Sequence, residues 1–158
     1  MREGKIFRIK LRLFYFKPNR YHSTKSHESL NFDSFYSVHK YIDPNWLAWF
    51  IGFTLGDGGL HMNKNSFLFG ITQSEESILQ EINAVLGFGR VYFDSSANSF
   101  RYRVTHHSEI LKLAILFNGK LVTENKIEQL GKWIQSLNKR GADILYVSRP
   151  FQPTLNDA

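Results

Sequence analysis

A single aspartate stands out in the segment WLAWFIGFTLGDGG, residues 46–59. Asp57 follows eleven residues that are almost entirely apolar, and glycines flank it on both sides. A carboxylate near the C-terminal end of a helix opposes the helix dipole, so this position costs stability. A hard divalent cation such as Mg²⁺ binds carboxylates together with phosphate oxygens and water. Asp57 is therefore either a metal ligand or simply the polar end of an apolar helix.

Basic and polar residues alternate with apolar ones in GRVYFDSSANSFRYRVT, residues 89–105. This period of two predicts a β-hairpin with one core face and one arginine-rich face, joined by a turn at residues 95–99. The segment GLHMNKNSFLFGITQ, residues 59–73, alternates in the same way around a turn at residues 63–65. The adjacent pair His106 and His107 is expected to serve on the surface rather than as a metal site, because helical neighbours point about 100° apart.

Composition narrows the class of protein. The chain has 158 residues, enough for one domain with a real core, and no cysteine, which excludes disulfides and thiolate metal sites. A net charge of +6 and a pI near 9.6 favour a polyanionic partner, foremost nucleic acid, although a generic cationic surface is the alternative. No run approaches the roughly 20 apolar residues that cross a bilayer.

The order of elements predicts an α+β fold. Residues 1–44 lack a sustained period and are predicted to form a basic, partly ordered N-terminal arm, whereas residues 45–158 form one domain. In that domain the order is helix, hairpin, helix, hairpin, helix, helix. Asn45, Ser74, Ser108 and Thr123 are the predicted helix starts, and glycines 87, 119 and 141 are the predicted stops.

Two hairpins form a four-stranded antiparallel sheet with helices on one face, which leaves the other face open. A polar, basic sheet of this width has the chemistry to lie along the major groove of DNA. The alternative is an ordinary α+β domain whose polar face is simply exposed to solvent. The predicted DNA-binding residues are Gly59, His61, Asn63, Asn65, Ser66, Arg90, Tyr92, Arg101, Arg103 and Thr105.

The segment FIGFTLGDG, residues 50–58, resembles the signature of the LAGLIDADG homing endonucleases. The resemblance continues through GITQSEES, GFGRV, YRV and FNGKLVTENKIEQLGKWI, and it covers roughly residues 45–158. It implies an αββαββα(α) domain. It also implies that the signature helix packs against that of a second domain through Ala48, Trp49, Gly52, Phe53 and Gly56.

In this family the last acid of the signature helix reaches the scissile phosphates, so the resemblance assigns Asp57 as a catalytic ligand of Mg²⁺. Gln73 matches a polar residue that positions solvent beside the metals, although an exposed strand-end glutamine is the plain alternative. The basic residue that the family places before the last helix corresponds to Val122 here, with Lys120 and Lys126 as flanking candidates. Leu55 replaces an acid within the signature, a change that we read as tolerable.

The resemblance implies a site-specific endonuclease for double-stranded DNA, with one chain supplying half of the active site. The alternative is a group I intron RNA maturase, or a catalytically decayed domain that only binds nucleic acid. The segment PTLNDA, residues 153–158, resembles the linker to a second signature helix, so the expected partner is a complementary second LAGLIDADG domain or a second copy in a homodimer. Such proteins are typically encoded in a mitochondrion or, alternatively, a chloroplast.

Overall fold

Two β-hairpins and four longer helices build the domain. The computed structural model describes residues 30–148. The elements in chain order are α1 Asp33–Tyr36, α2 Pro44–Asp57, β1 Gly58–Asn63, β2 Ser66–Gln73, α3 Glu76–Leu86, β3 Arg90–Asp94, β4 Ser99–Val104, α4 His107–Phe117 and α5 Glu124–Lys139. The strands form one antiparallel sheet in the order β1-β2-β4-β3. The predicted α+β fold and its order of elements are confirmed.

The alternation of side chains separates the two faces of the sheet, but the helix-facing side is not buried throughout, since Met62 on β1 and Phe93 on β3 are 39% and 51% exposed. Leu60, Phe69, Ile71, Tyr102 and Val104 are buried on the face that the helices cover. Both hairpin turns fall where they were expected, at residues 64–65 and 95–98. Because α2, α3, α4 and α5 contact the sheet from this one side, the polar residues at the intervening positions face solvent.

Aromatic rings from three elements form the centre of the core. Phe50 of α2, Phe69 of β2 and Phe117 of α4 are fully buried. Their ring centroids lie 6.1 Å apart for Phe50–Phe69, 5.8 Å for Phe50–Phe117 and 5.6 Å for Phe69–Phe117. Rings at such separations attract one another beyond their area burial. This cluster fixes the position of α2 on the sheet.

The described part of the predicted arm, residues 30–44, packs on the domain. Phe32, Phe35 and Ile42 are buried in the main core, and the Tyr36 hydroxyl donates to the carbonyl oxygen of Ile42 at 2.7 Å. Residues 1–29 and 149–158, including PTLNDA, lie outside the described residues. The division of the chain at residue 44 stays a prediction.

Several helix starts differ from the sequence prediction. Asp43, not Asn45, caps α2, because its carboxylate accepts from the Asn45 N–H at 2.7 Å and the fixed φ of Pro44 suits the first helical position. Ser74 and Ser108 are not caps either, since α3 starts at Glu76 and α4 at His107. The stop at Gly87 is confirmed. No helix within residues 30–148 has the length and apolar character needed to span a bilayer.

Glu81 couples the stability of the fold to pH. Burial of this α3 carboxyl raises its pKa from 4.5 to about 7, an effect that the Trp46 side chain partly offsets. The folded protein therefore holds the proton more tightly than the unfolded chain, and stability falls as pH rises from about 4.5 to about 7. We expect Glu81→Gln to raise the thermal midpoint at pH 8 by on the order of 5 °C and to leave it unchanged at pH 4.

Circular dichroism melts at the two pH values measure this effect. Glu124→Gln is the control. Glu124 is an exposed carboxylate in the first turn of α5, so removing its negative charge should not raise the thermal midpoint at pH 8. Equal midpoints for wild type and Glu81→Gln at pH 8 would contradict the assignment.

Candidate nucleic-acid interface and catalytic carboxylate

Asp57 is the last residue of α2 and stands where the helix passes into the sheet without a linker. The N–H of Gly58 donates to the carbonyl oxygen of Thr54, and β1 begins at Gly58 itself. A Cβ at Gly58 would lie 2.7 Å from Thr54 Cγ2 and 2.9 Å from Thr54 O, so only glycine fits this junction. The exposed Asp57 carboxylate is thereby held at the end of the β1–β2 hairpin.

The electrostatic setting of Asp57 does not favour a purely structural role. The last turn of α2 contains no basic residue, and no cation pairs with Asp57 anywhere in residues 30–148. A carboxylate at a helix C-terminus opposes the dipole. Nothing in the described fold offsets this cost, which is typical of a residue retained for function.

A hollow of about 200 Å³ opens beside Asp57 on the exposed face of the sheet. The ring of His61 folds back over Gly59, since a Cβ at Gly59 would meet its Nε2 at 2.5 Å. The hollow is thus lined by one acidic residue, one histidine and two arginines. Its walls are Asp57, Gly59, His61, Leu68, Gly70, Ile71, Thr72, Arg101, Tyr102 and Arg103.

The register arranges the arginines in rows across the strands. Arg103 on β4 lies opposite Arg90 on β3, and Arg101 lies opposite Tyr92. Like charges directly opposite each other are destabilising unless an anion lies between them. Arg90 stands 5.0 Å from the centroid of the Tyr92 ring. In the described part of the chain neither Arg90 nor Arg103 has a carboxylate partner, and this row is suited to bind an anion.

The predicted DNA-binding residues share one surface. Those on the strands share the face opposite the helices, Thr105 directly follows β4, and Asn65 lies in the turn of the first hairpin. Helix α5 supports this hairpin from the core side. The Trp133 Nε1–H donates to the His61 carbonyl oxygen at 3.0 Å, and Arg140 donates to the carbonyl oxygen of Asn65.

The other predicted catalytic residues do not line the hollow. Gln73 ends β2, half-buried and paired with Phe100 on the helix-facing side of the sheet. Lys120 Nζ lies 5.3 Å from the centroid of the Phe32 ring and donates to the Asn118 carbonyl oxygen at 3.4 Å. Burial lowers the pKa of Lys120. Val122, at the position of the family's basic residue, is 50% exposed. The structure therefore does not bring Lys120 to Asp57.

Sequence reasoning left out residues that the structure adds to this surface. Leu68 and Thr72 share the exposed face with the arginines, and Thr72 lies opposite Arg101. Extending the period of two from Ser66 along β2 would have found both. Asp94, whose Oδ2 lies 2.6 Å from Arg101 Nε, could not be paired with that arginine before the register was known.

Helix α2 has an uncovered apolar strip on the side away from the core. Trp46, Leu47, Phe50, Ile51 and Thr54 are buried. The strip consists of Ala48, Trp49, Gly52, Phe53 and Gly56, each half-buried or exposed. The Trp49 and Phe53 rings stack at 5.2 Å, and no described residue lies within 4 Å of a Cβ built at Gly52 or Gly56. The expected burial of α2 on most sides is thus incomplete within residues 30–148.

Comparisons with known proteins agree with this architecture. The family model "LAGLIDADG endonuclease" matches residues 50–137. The Neurospora crassa protein "Probable intron-encoded endonuclease 4" is 37% identical over 123 aligned residues, in an alignment that covers 74% of this chain and 23% of that protein. The chain thus spans about a quarter of the length of this curated relative.

Solved structures share the fold. The K262A mutant of I-SmaMI superposes with a TM-score of 0.53 at 22% identity, covering 64% of this chain and 40% of that one. The LAGLIDADG meganuclease I-AabMI bound to uncleaved DNA gives a TM-score of 0.53 at 19% identity, covering 60% and 38%. The matched family model and the curated relative show that this chain belongs to the LAGLIDADG endonuclease family.

Proposed function

We propose that the chain is one half of a site-specific endonuclease for double-stranded DNA. The observation that carries the proposal is the exposed Asp57 carboxylate, held without a cationic partner in the described residues at the end of an apolar helix and beside the arginine face. Such a carboxylate is suited to act on a phosphodiester that the arginines bring to it. The family to which the chain belongs, and the intron-encoded endonuclease it resembles, support this function.

The exposed face of the sheet is the proposed DNA-binding surface. The major groove of B-DNA is about 12 Å wide and admits a β-ribbon. Arg90 and Arg103 are exposed and lack acidic partners in residues 30–148, so phosphates would relieve their mutual repulsion and release counterions. Asn63 and Ser66 pair at the far end of the β1–β2 hairpin, where their polar side chains can reach base edges.

A divalent cation, Mg²⁺ in our proposal, fits the site only if this chain and its partner both contribute ligands to it. Within residues 30–148 no three His, Asp or Glu side chains cluster, and Asp57 is the one acidic residue that lines the hollow. That number suits Mg²⁺, which takes one or two carboxylates and fills its other positions with water and phosphate oxygens. When bound, the metal would activate water and stabilise charge on the leaving oxygen. A further carboxylate would come from the partner.

The uncovered strip of α2 is the proposed pairing surface. Its glycines leave room for the backbone of a second helix, and its aromatic rings supply apolar area. The partner is a second copy of this chain or a complementary second LAGLIDADG domain, and either would place a second carboxylate near Asp57. A homodimer would cut a near-palindromic target, because its two-fold symmetry is mirrored in the half-sites.

Two observations favour a second candidate, a domain that binds nucleic acid without cutting it. Val122 replaces the family's basic residue, and the Lys120 ammonium faces Phe32 rather than Asp57. A group I intron RNA maturase would keep the basic face and dispense with cleavage. Tight binding to intron RNA, with no cleavage of any duplex in Mg²⁺, would favour this candidate. With either function we infer organelle encoding, in a mitochondrion or alternatively a chloroplast, in keeping with an intron-encoded relative.

Asp57→Asn tests the catalytic role. Asparagine keeps the size of the side chain but weakens a metal ligand, so we expect Mg²⁺-dependent cleavage to fall by roughly two orders of magnitude or more while DNA affinity is retained. Cleavage of a randomised duplex library is measured at protein concentrations where sedimentation shows association, with chelation of the metal as a second arm. Asp43→Asn at the other end of α2 is the matched control, since asparagine caps a helix as well as aspartate does. Wild-type cleavage by Asp57→Asn would refute the assignment.

Gly52→Ala tests the pairing surface through effects of opposite sign. An added methyl meets nothing within 4 Å among residues 30–148, so the free energy of unfolding should rise by about 0.5–1 kcal/mol from helix propensity. At a close helix crossing the same methyl should weaken association by about 1–3 kcal/mol. Chemical denaturation and sedimentation equilibrium measure the two effects.

A matched pair of substitutions controls for bulk on a helix. Ala48→Leu enlarges the strip and should reduce association, whereas Ala84→Leu enlarges an exposed position on α3 and should not. Unchanged association for both Gly52→Ala and Ala48→Leu would place the pairing surface elsewhere.

A further inference from the structure

Arg101 differs from the other two arginines of the exposed face. It lies on β4 between Thr72 of β2 and Tyr92 of β3, in the row of the sheet nearest Asp57. Its Nε lies 2.6 Å from Asp94 Oδ2, and the two side chains are 41% and 20% exposed. The contact is an ion pair rather than an aligned hydrogen bond. Of the three arginines, only Arg101 has an acidic partner in the described residues.

Asp94 is itself fixed in place. Its Oδ1 accepts from the Ser96 hydroxyl at 2.5 Å and from the Ser96 N–H at 3.0 Å, in the turn that joins β3 to β4. These hydrogen bonds, the Ser96 hydroxyl foremost, hold the pKa of Asp94 below its ordinary value, with a smaller contribution from Arg101. Asp94 is therefore a charged group whose two oxygens have different partners, one in the turn and one on β4.

This arrangement decides what Arg101 can recognise. A carboxylate 2.6 Å from Nε would repel a phosphate brought to the same guanidinium, whereas the O6 and N7 acceptors of guanine are uncharged. Because the carboxylate lies against the Nε side, the opposite edge of the guanidinium, formed by the two terminal Nη groups, stays available. That edge matches the guanine O6 and N7 acceptors in a bidentate contact. Arg103, with no acid beside it in the described part of the chain, is suited to a phosphate.

We infer that Arg101 reads a guanine in the major groove and that Asp94, anchored by Ser96, is a positioning residue that holds the guanidinium for this contact. The inference rests on the proposed DNA-binding function and deepens it. It divides the basic face into one base-reading arginine and a phosphate-binding row of Arg90 and Arg103.

Selection from a randomised duplex pool tests the inference, using the full 158-residue chain and its Arg101→Ala, Asp94→Asn, Ser96→Ala and Arg103→Ala variants. Fluorescence anisotropy on the selected duplexes, over a range of salt concentrations, gives the affinities. Circular dichroism melts confirm that each variant is folded. The wild-type pool should contain a guanine position whose preference, roughly 5- to 150-fold over other bases, is lost in Arg101→Ala.

The positioning role of Asp94 predicts a result that simple charge removal does not. Asp94→Asn should bind non-selected duplex as tightly as wild type or more tightly, because a negative charge is gone, and yet lose most of the preference for guanine at that position. Ser96→Ala should lose part of it. Adding Asp94→Asn to Arg101→Ala should cause no further loss of preference. Arg103→Ala should instead weaken binding to all duplexes and reduce the salt slope by about one.

Other outcomes overturn the inference in distinguishable ways. An undiminished guanine preference in Asp94→Asn would show that Asp94 does not position Arg101. A uniform loss of affinity with a reduced salt slope in Arg101→Ala would show that Arg101 contacts a phosphate. Failure of the wild-type chain to bind any duplex would overturn the proposed function, and this inference with it.

Discussion

The contact among the rings of Phe50, Phe69 and Phe117 is the constraint on which the rest of the structure depends. It locks the middle of α2 onto the middle of β2, with α4 as the third partner. Because α2 passes into β1 with no intervening loop, fixing the helix on the sheet also fixes its last residue. Asp57 therefore has its place set by core packing two turns away, and the glycine that follows admits no side chain that could push the junction open.

The same helix leaves one apolar side uncovered within residues 30–148. An isolated globular domain would rarely place two stacked aromatic rings and two unobstructed glycines on such a side. Together with the carboxylate at its end, which has no cationic partner in the described residues, α2 thus carries two features that cost stability in a single domain. Natural proteins break local rules in this way mostly at functional sites.

On the exposed face of the sheet, repulsion between arginines is opposed by hydrogen bonds that hold the backbone from the covered side. Facing arginines on β3 and β4 repel each other until an anion arrives, and the backbone beneath the face must resist this repulsion. Support comes from the covered side, where Trp133 and Arg140 of the α5 region bond the backbone of the first hairpin and the Tyr102 hydroxyl donates to the Phe88 carbonyl oxygen at 2.9 Å. A rigid backbone under a charged surface keeps the charged side chains in register.

The sequence by itself determined the two faces of the sheet, the order of the elements and the prominence of Asp57. Alternation and helical period are local properties, and the charged positions of the second hairpin follow from counting by two. The tertiary structure decided which of those residues meet. Lys120 turns to Phe32, which the sequence had assigned to the arm, and Gln73 pairs with Phe100 away from the hollow. Arg101 finds Asp94 only through the register of β3 with β4, because contacts between distant segments depend on how elements pack rather than on any local period.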